Sequence, residues 1–245
     1  TPPTTIPGGN GTTVTSTTTH MPSTISFPPG IANVTICPIE KIKNPHPESC
    51  DIYKSDYVRC LIENGGDLNS IGGPTGKTPL MDEVIRGDFK SENNIELLIN
   101  CGANLEVKNK NSIGETALMY AAAHNNNEGA KLLLDGGANL EAIDDEESTA
   151  LMHAIVHNRY YVVEFFIDRN ANLNAQDKKG KTALMHAIYH KDYSKKNYII
   201  KLLLRGGAKL DLKDKDGKTA LMYAEERGDI EIINLLKEAS KQTRT

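Results

Sequence analysis

The sequence predicts an all-α repeat solenoid with an extended N-terminal arm, on three observations. A four-residue beat, Thr116-Ala117-Leu118-Met119, returns at Thr149, Thr182 and Thr219, with Thr78-Pro79-Leu80-Met81 as a variant upstream. The Thr-to-Thr steps are 38, 33, 33 and 37 residues, and self-similarity at a fixed period outranks any domain count based on length. The third observation is a thin apolar inventory: 38% hydrophobic residues, four Phe and no Trp in 245 residues. That is meagre for one large core, yet adequate when each short unit buries one face on its neighbour.

Residues 1–39 contain no Asp, Glu, Lys or Arg, and the first thirty hold ten Thr and six Pro. Composition of this kind reads as a stalk or linker. Against that, β-branched runs around Val14, Ile25, Phe27, Val34 and Ile36 suit an extended strand, so the arm is expected to pack on a neighbouring copy or on its own solenoid. Asn10-Gly11-Thr12 and Asn33-Val34-Thr35 are glycosylation sequons that matter only on a eukaryotic secretory route. Residues 40–75 read as a worn first repeat, with a helix over Tyr57 to Ile62 ahead of Gly65-Gly66.

From Gly76 the grammar is constant. Each Thr is placed to cap a short first helix, its hydroxyl accepting a backbone N–H one turn on, and Pro79 suits the first helical position. A second helix follows, carrying Ile95 to Ile99, Leu132 to Leu134, Val162 to Ile167 or Ile199 to Leu204. It stops at Gly102, Gly137 or Gly207, residues that accept the left-handed conformation. Turn residues such as Asn109, Asp144, Asp177 and Asp216-Gly217 then predict a projecting hairpin. Residues 76–216 thus form four repeats, and 217–245 a cap whose charged helix carries Glu231, Lys237, Glu238 and Lys241. The extra length of the two long units is expected mostly between helices, at residues 87–94 and 191–197, with two extra residues of the Thr78 unit in the hairpin near Asn109 to Ile113.

This pattern resembles the ankyrin repeat, whose opening is of the Thr-Pro-Leu-His type, over about residues 50 to 240. Ala stands for the family's Pro in four of five units and Met for its His in all five. A thioether packs but does not donate, which leaves the family's hydrogen bond from His to the hairpin backbone without its donor. The resemblance implies a non-catalytic protein-binding chain that reads its partner with hairpin tips and the exposed ends of first helices. Those positions are Lys77, Ile85 and Arg86; Glu115, Ala123 and His124; Ser148, Val156 and His157; Lys181, Tyr189 and His190; Lys218, Glu226 and Arg227.

Several sharper readings fail on spacing. Gly72 to Thr78 imitates a phosphate loop, but Ile71 stands where the leading Gly belongs, and Gly-Lys-Thr recurs at 180–182 and 217–219 as a hairpin closure. His153 and His157, like His186 and His190, share a helical face, yet neighbouring helices about 8–10 Å apart cannot share one zinc without a further ligand. No metal or other cofactor is expected, and no catalytic residue, since every candidate recurs as repeat grammar. The acidic tip at 144–147 one repeat from Lys178, Lys179 and Lys181 argues against nucleic acid, and no apolar run is long enough to span a membrane.

The chain has four cysteines, Cys37, Cys50, Cys60 and Cys101. A bridge among Cys37, Cys50 and Cys60 is expected to staple the worn repeat, with Cys101 free or paired with the fourth; this implies an oxidising, extracellular or periplasmic setting. Reduced thiols in a cytosolic protein are the alternative. Taken together, the expectation is a secreted scaffold that joins other copies through its arm, or alternatively a monomeric module that binds one protein partner on its concave face.

Overall fold

The computed structural model describes residues 57–72, 75–190 and 195–242. Among them run α1 (Tyr57–Glu63), α2 (Pro79–Arg86), α3 (Phe89–Asn100), α4 (Ala117–His124), α5 (Asn127–Asp135), α6 (Ala150–Val156), α7 (Tyr160–Asp168), α8 (Ala183–Tyr189), α9 (Lys196–Arg205), α10 (Ala220–Arg227) and α11 (Ile230–Gln242). Two rows result. First helices pack in the order α2, α4, α6, α8, α10, while α1, α3, α5, α7 and α9 form the second row. The hairpins between units are closed by isolated bridges, Gly72 with Lys77, Ile143 with Thr149 and Gln176 with Thr182. The assembly arm with Val14, Ile25, Phe27, Val34 and Ile36 lies outside the described residues.

First helices start where the Thr beat places them. The hydroxyls of Thr78, Thr149, Thr182 and Thr219 accept from the backbone N–H of the following Met at 3.3–3.4 Å. The methionines do more than pack, which corrects the expectation. The sulfurs of Met81, Met119 and Met185 accept from the N–H of their own cap residue at 3.4–3.5 Å, so a soft acceptor satisfies a donor that would otherwise be buried without a partner. In α4 every residue from Ala117 to Ala123 is buried, as expected of a helix apolar on all sides. Met222 is 46% exposed, as no described helix of a following unit covers it.

Second helices bury one stripe each: Ile95 and Leu98, Ala130 and Leu133, Val162, Val163 and Phe166, then Ile199, Ile200 and Leu203. Their ends are Schellman turns. Ala103, Ala138, Ala171 and Ala208 donate back to Leu98, Leu133, Phe166 and Leu203 at 2.9–3.0 Å, across Gly102, Gly137, Asn170 and Gly207 at φ of 84°, 95°, 61° and 90°. Asn170 fills the left-handed position that glycine holds elsewhere, a role its short polar side chain tolerates.

The long unit at Thr78 departs from expectation. Its extra residues do not widen the interhelical turn, which is Gly87 and Asp88 alone; most of them lengthen α3 to 12 residues against 9 in α5, and the rest fall in the hairpin ahead of Thr116, as expected. Asp88 keeps the turn short by accepting from the Ser91 N–H at 2.7 Å and the Ser91 hydroxyl at 2.8 Å, as Asn126 does for α5 with the Gly129 N–H. In the other long unit, residues 191–194 lie outside the described residues.

Polar bonds tie successive units together. Asn126, Arg159, His190 and Arg227 each donate to a carbonyl at the end of the preceding first helix, namely Val84, Ala123, Val156 and Tyr189, at 2.8–3.1 Å. Along the hairpins Asp145, Lys178 and Lys215 donate backbone N–H groups to Ile113, Glu146 and Lys179. Cys60 and Cys101 each take part in a disulfide, while Cys37 and Cys50 lie outside the described residues.

Candidate protein-binding groove

Four of the hairpins are each held against the following first helix by one buried side chain. Asp177 is 8% exposed; its Oδ1 accepts from the backbone N–H of Lys179 at 2.9 Å and of Lys181 at 2.8 Å. Its Oδ2 takes Nε2–H of His186 at 2.8 Å. Asp144 repeats the device with Glu146, Ser148 and His153, and Asp214 with Asp216, Lys218 and the Tyr223 hydroxyl. In the earlier repeat Asn109 accepts from Asn111 N–H at 2.8 Å and donates to the Tyr120 hydroxyl at 2.6 Å. The tie to the hairpin that the Met replacement was expected to cost is therefore made one residue later, by Tyr120, His153, His186 and Tyr223, which follow Met119, Met152, Met185 and Met222.

The electrostatics follow from burial. Desolvation pushes the His186 imidazole below its ordinary pKa, against the opposing pull of Asp177, so the neutral ring is favoured. For Asp144 burial alone would raise the carboxyl pKa, but the hydrogen bond from His153 and the backbone N–H of Ser148 outweigh it and hold the value below normal. Asp214 behaves alike, with the Tyr223 hydroxyl and the Lys218 N–H overcoming burial. Burial also raises the Tyr120 hydroxyl to about 12.

With the hairpins fixed, a groove of about 510 Å³ opens along the hairpin side of α6 and α8. Its apolar surface comes from Ile113, Met152, Val156 and Tyr189; Ile113, Val156 and Tyr189 are 42%, 46% and 55% exposed. His153 and His157 lie nearly parallel within it, their ring centroids 6.4 Å apart. Glu115, Glu146, Lys178, Lys179 and Lys181 stand along its edges.

Of the residues expected to read a partner, Glu115, Ser148, Val156, His157, Lys181, Tyr189 and His190 line this groove. Lys218 and Arg227 adjoin it, Lys218 over the Tyr223 ring at 5.6 Å and Arg227 over the Tyr189 ring at 5.8 Å. Lys77, Arg86 and His124 do not join them. Lys77 lies over Tyr120 at 5.3 Å and His124 stacks on the same ring at 6.3 Å. Desolvation, with Lys77, His157 and Arg159 nearby, lowers the His124 pKa. Arg86 is turned to the buried Glu83 at 2.9 Å. Ala123 is 9% exposed and presents its carbonyl to Arg159, so its side chain is no contact point. Sequence reasoning missed Ile113 and the Asp144, Asp177 and Asp214 ties. A spacing of nine residues from each Asp to the side chain it holds was the available signal.

Among the described residues no group of three His, Cys, Asp or Glu could hold a metal ion, and no helix is long and apolar enough to cross a membrane. No curated protein matches the chain. A family model described as ankyrin repeats in three copies matches residues 86–177 and 162–245. With its paired helices, Thr-capped first helices and bridged hairpins, the chain belongs to the ankyrin-repeat family.

Proposed function

We propose that this chain is a non-catalytic protein-interaction module that receives a segment of one protein partner in the groove between its hairpins and the ends of α6 and α8. The observation carrying the reading is the grouping of Ile113, Val156 and Tyr189, exposed and adjacent, on a surface whose acids and imidazoles are engaged in holding the hairpins in place. A rigid apolar floor inside a polar rim is the form of a binding hot spot. Engagement of Asp144, Asp177, His153 and His186 in structural bonds supports binding over catalysis. The disulfide-bonded state of Cys60 and Cys101 supports an oxidising compartment outside the cytoplasm. The expected assembly arm lies outside the described residues, and the reading needs nothing from it.

Peptides selected from a display library on the intact chain test this. Their affinity is expected to fall at least about tenfold on Val156→Asp combined with Tyr189→Ser, because both changes remove exposed anchors. Both residues are half exposed, so the fold is expected to persist. Equal affinity for the variant and the parent would refute the groove as the binding surface.

A further inference from the structure

We infer that the segment received by the groove is acidic, with an aliphatic side chain seated at Ile113 and Val156 and carboxylates following toward Lys179 and Lys181. This rests on the groove reading above and gives it a partner chemistry.

Four carboxylates line the groove, and all four are already engaged. Glu115 accepts from the Ser112 hydroxyl at 2.7 Å and the Tyr120 hydroxyl at 3.0 Å. Asp144 and Asp177 are held by their hairpin N–H groups and by His153 and His186. Glu146 has Lys178 at 3.8 Å. The lysines divide differently. Lys178 is occupied by that pair and by the Asp145 carbonyl at 3.3 Å. Lys179 and Lys181 form no ion pair within 4.0 Å with any described residue.

Lys181 is instead laid over two rings, its Nζ 4.9 Å from the Tyr189 centroid and 5.0 Å from that of Tyr223. Aromatic faces attract the ammonium and fix its place without cancelling its charge. The ammonium is therefore preorganised beside the exposed Tyr189 ring, and a group arriving there meets an apolar face and a positive charge together. Arg227, 5.8 Å from the Tyr189 centroid, adds to the same sign. A basic segment would meet Lys179 and Lys181, neither held in an ion pair with a described residue, so polarity is discriminated by repulsion as well as attraction.

Two short synthetic peptides, identical except for Glu or Lys between their leucines, provide the test by fluorescence anisotropy on the full chain. The Glu peptide is expected to bind at least about tenfold tighter than the Lys peptide and to weaken as salt rises. Lys179→Gln with Lys181→Gln is expected to remove most of that preference, with the melting temperature as the check on folding. Lys179→Gln alone, which leaves the ring stack untouched, is expected to remove part of it. A tighter Lys peptide, undiminished binding of the Glu peptide by the double variant, or no binding of either would each overturn the acidic assignment. The groove reading survives all three outcomes if library-selected peptides still lose affinity on Val156→Asp with Tyr189→Ser, and falls if they do not.

Discussion

Asp177→Ala is expected to destabilise the chain by about 3 kcal/mol, because one carboxylate serves three donors and the loss of a partner leaves each with a cost of roughly 1–3 kcal/mol when buried. The part-buried N–H groups of Lys179 and Lys181 and the mostly buried His186 ring share that loss. Asp177→Asn is expected to cost only about 1 kcal/mol. It keeps the oxygen that shapes the turn, and Asn109 already performs this role opposite Tyr120. Urea denaturation reads both, as a lower midpoint with an unchanged slope. If the alanine variant unfolded at the parent's midpoint, the hairpin carboxylate would not be a structural tie.

Phe166→Ala is expected to be costlier still, about 4 kcal/mol, since Phe166 is fully buried in α7 between the second helices on either side. Its position makes the consequence more than a lower midpoint. A linear array is held by nearest-neighbour interfaces, so a cavity in a central unit weakens the link between the two ends and the unfolding transition is expected to split or broaden. Ile232→Ala, in the last described unit, removes a fully buried side chain too but is expected to loosen only that end of the described array. Equally sharp single transitions for both variants would show the array to be more cooperative than nearest-neighbour packing allows.

The parts of this fold that were legible in the sequence are those that act over one turn of chain. Thr182 as a cap, Gly207 as a left-handed stop and the apolar stripe of α9 are each set by local backbone needs, and periodicity displays them. Two further local features were present but hidden. Asp88 restarts a helix where an insertion suggested a longer turn, and Met81 offers a sulfur lone pair where only packing was expected. The groove was harder to read because its members come from separate units. Ile113 belongs to a hairpin and Val156 to a first-helix end, and nothing in the period says that they meet. The positions carried over from the family resemblance were partly displaced for the same reason: Arg86 answers a buried Glu83 that is particular to its own repeat.

Hydrogen exchange of the intact chain, with and without a library-selected peptide, tests the central claim most directly. Slower exchange is predicted at residues 146–148 and 179–181 and at the last turns of α6 and α8, where the hairpins and helix ends frame the groove. Protection confined to the second helices α5, α7 and α9, with the hairpin amides unchanged, would contradict it.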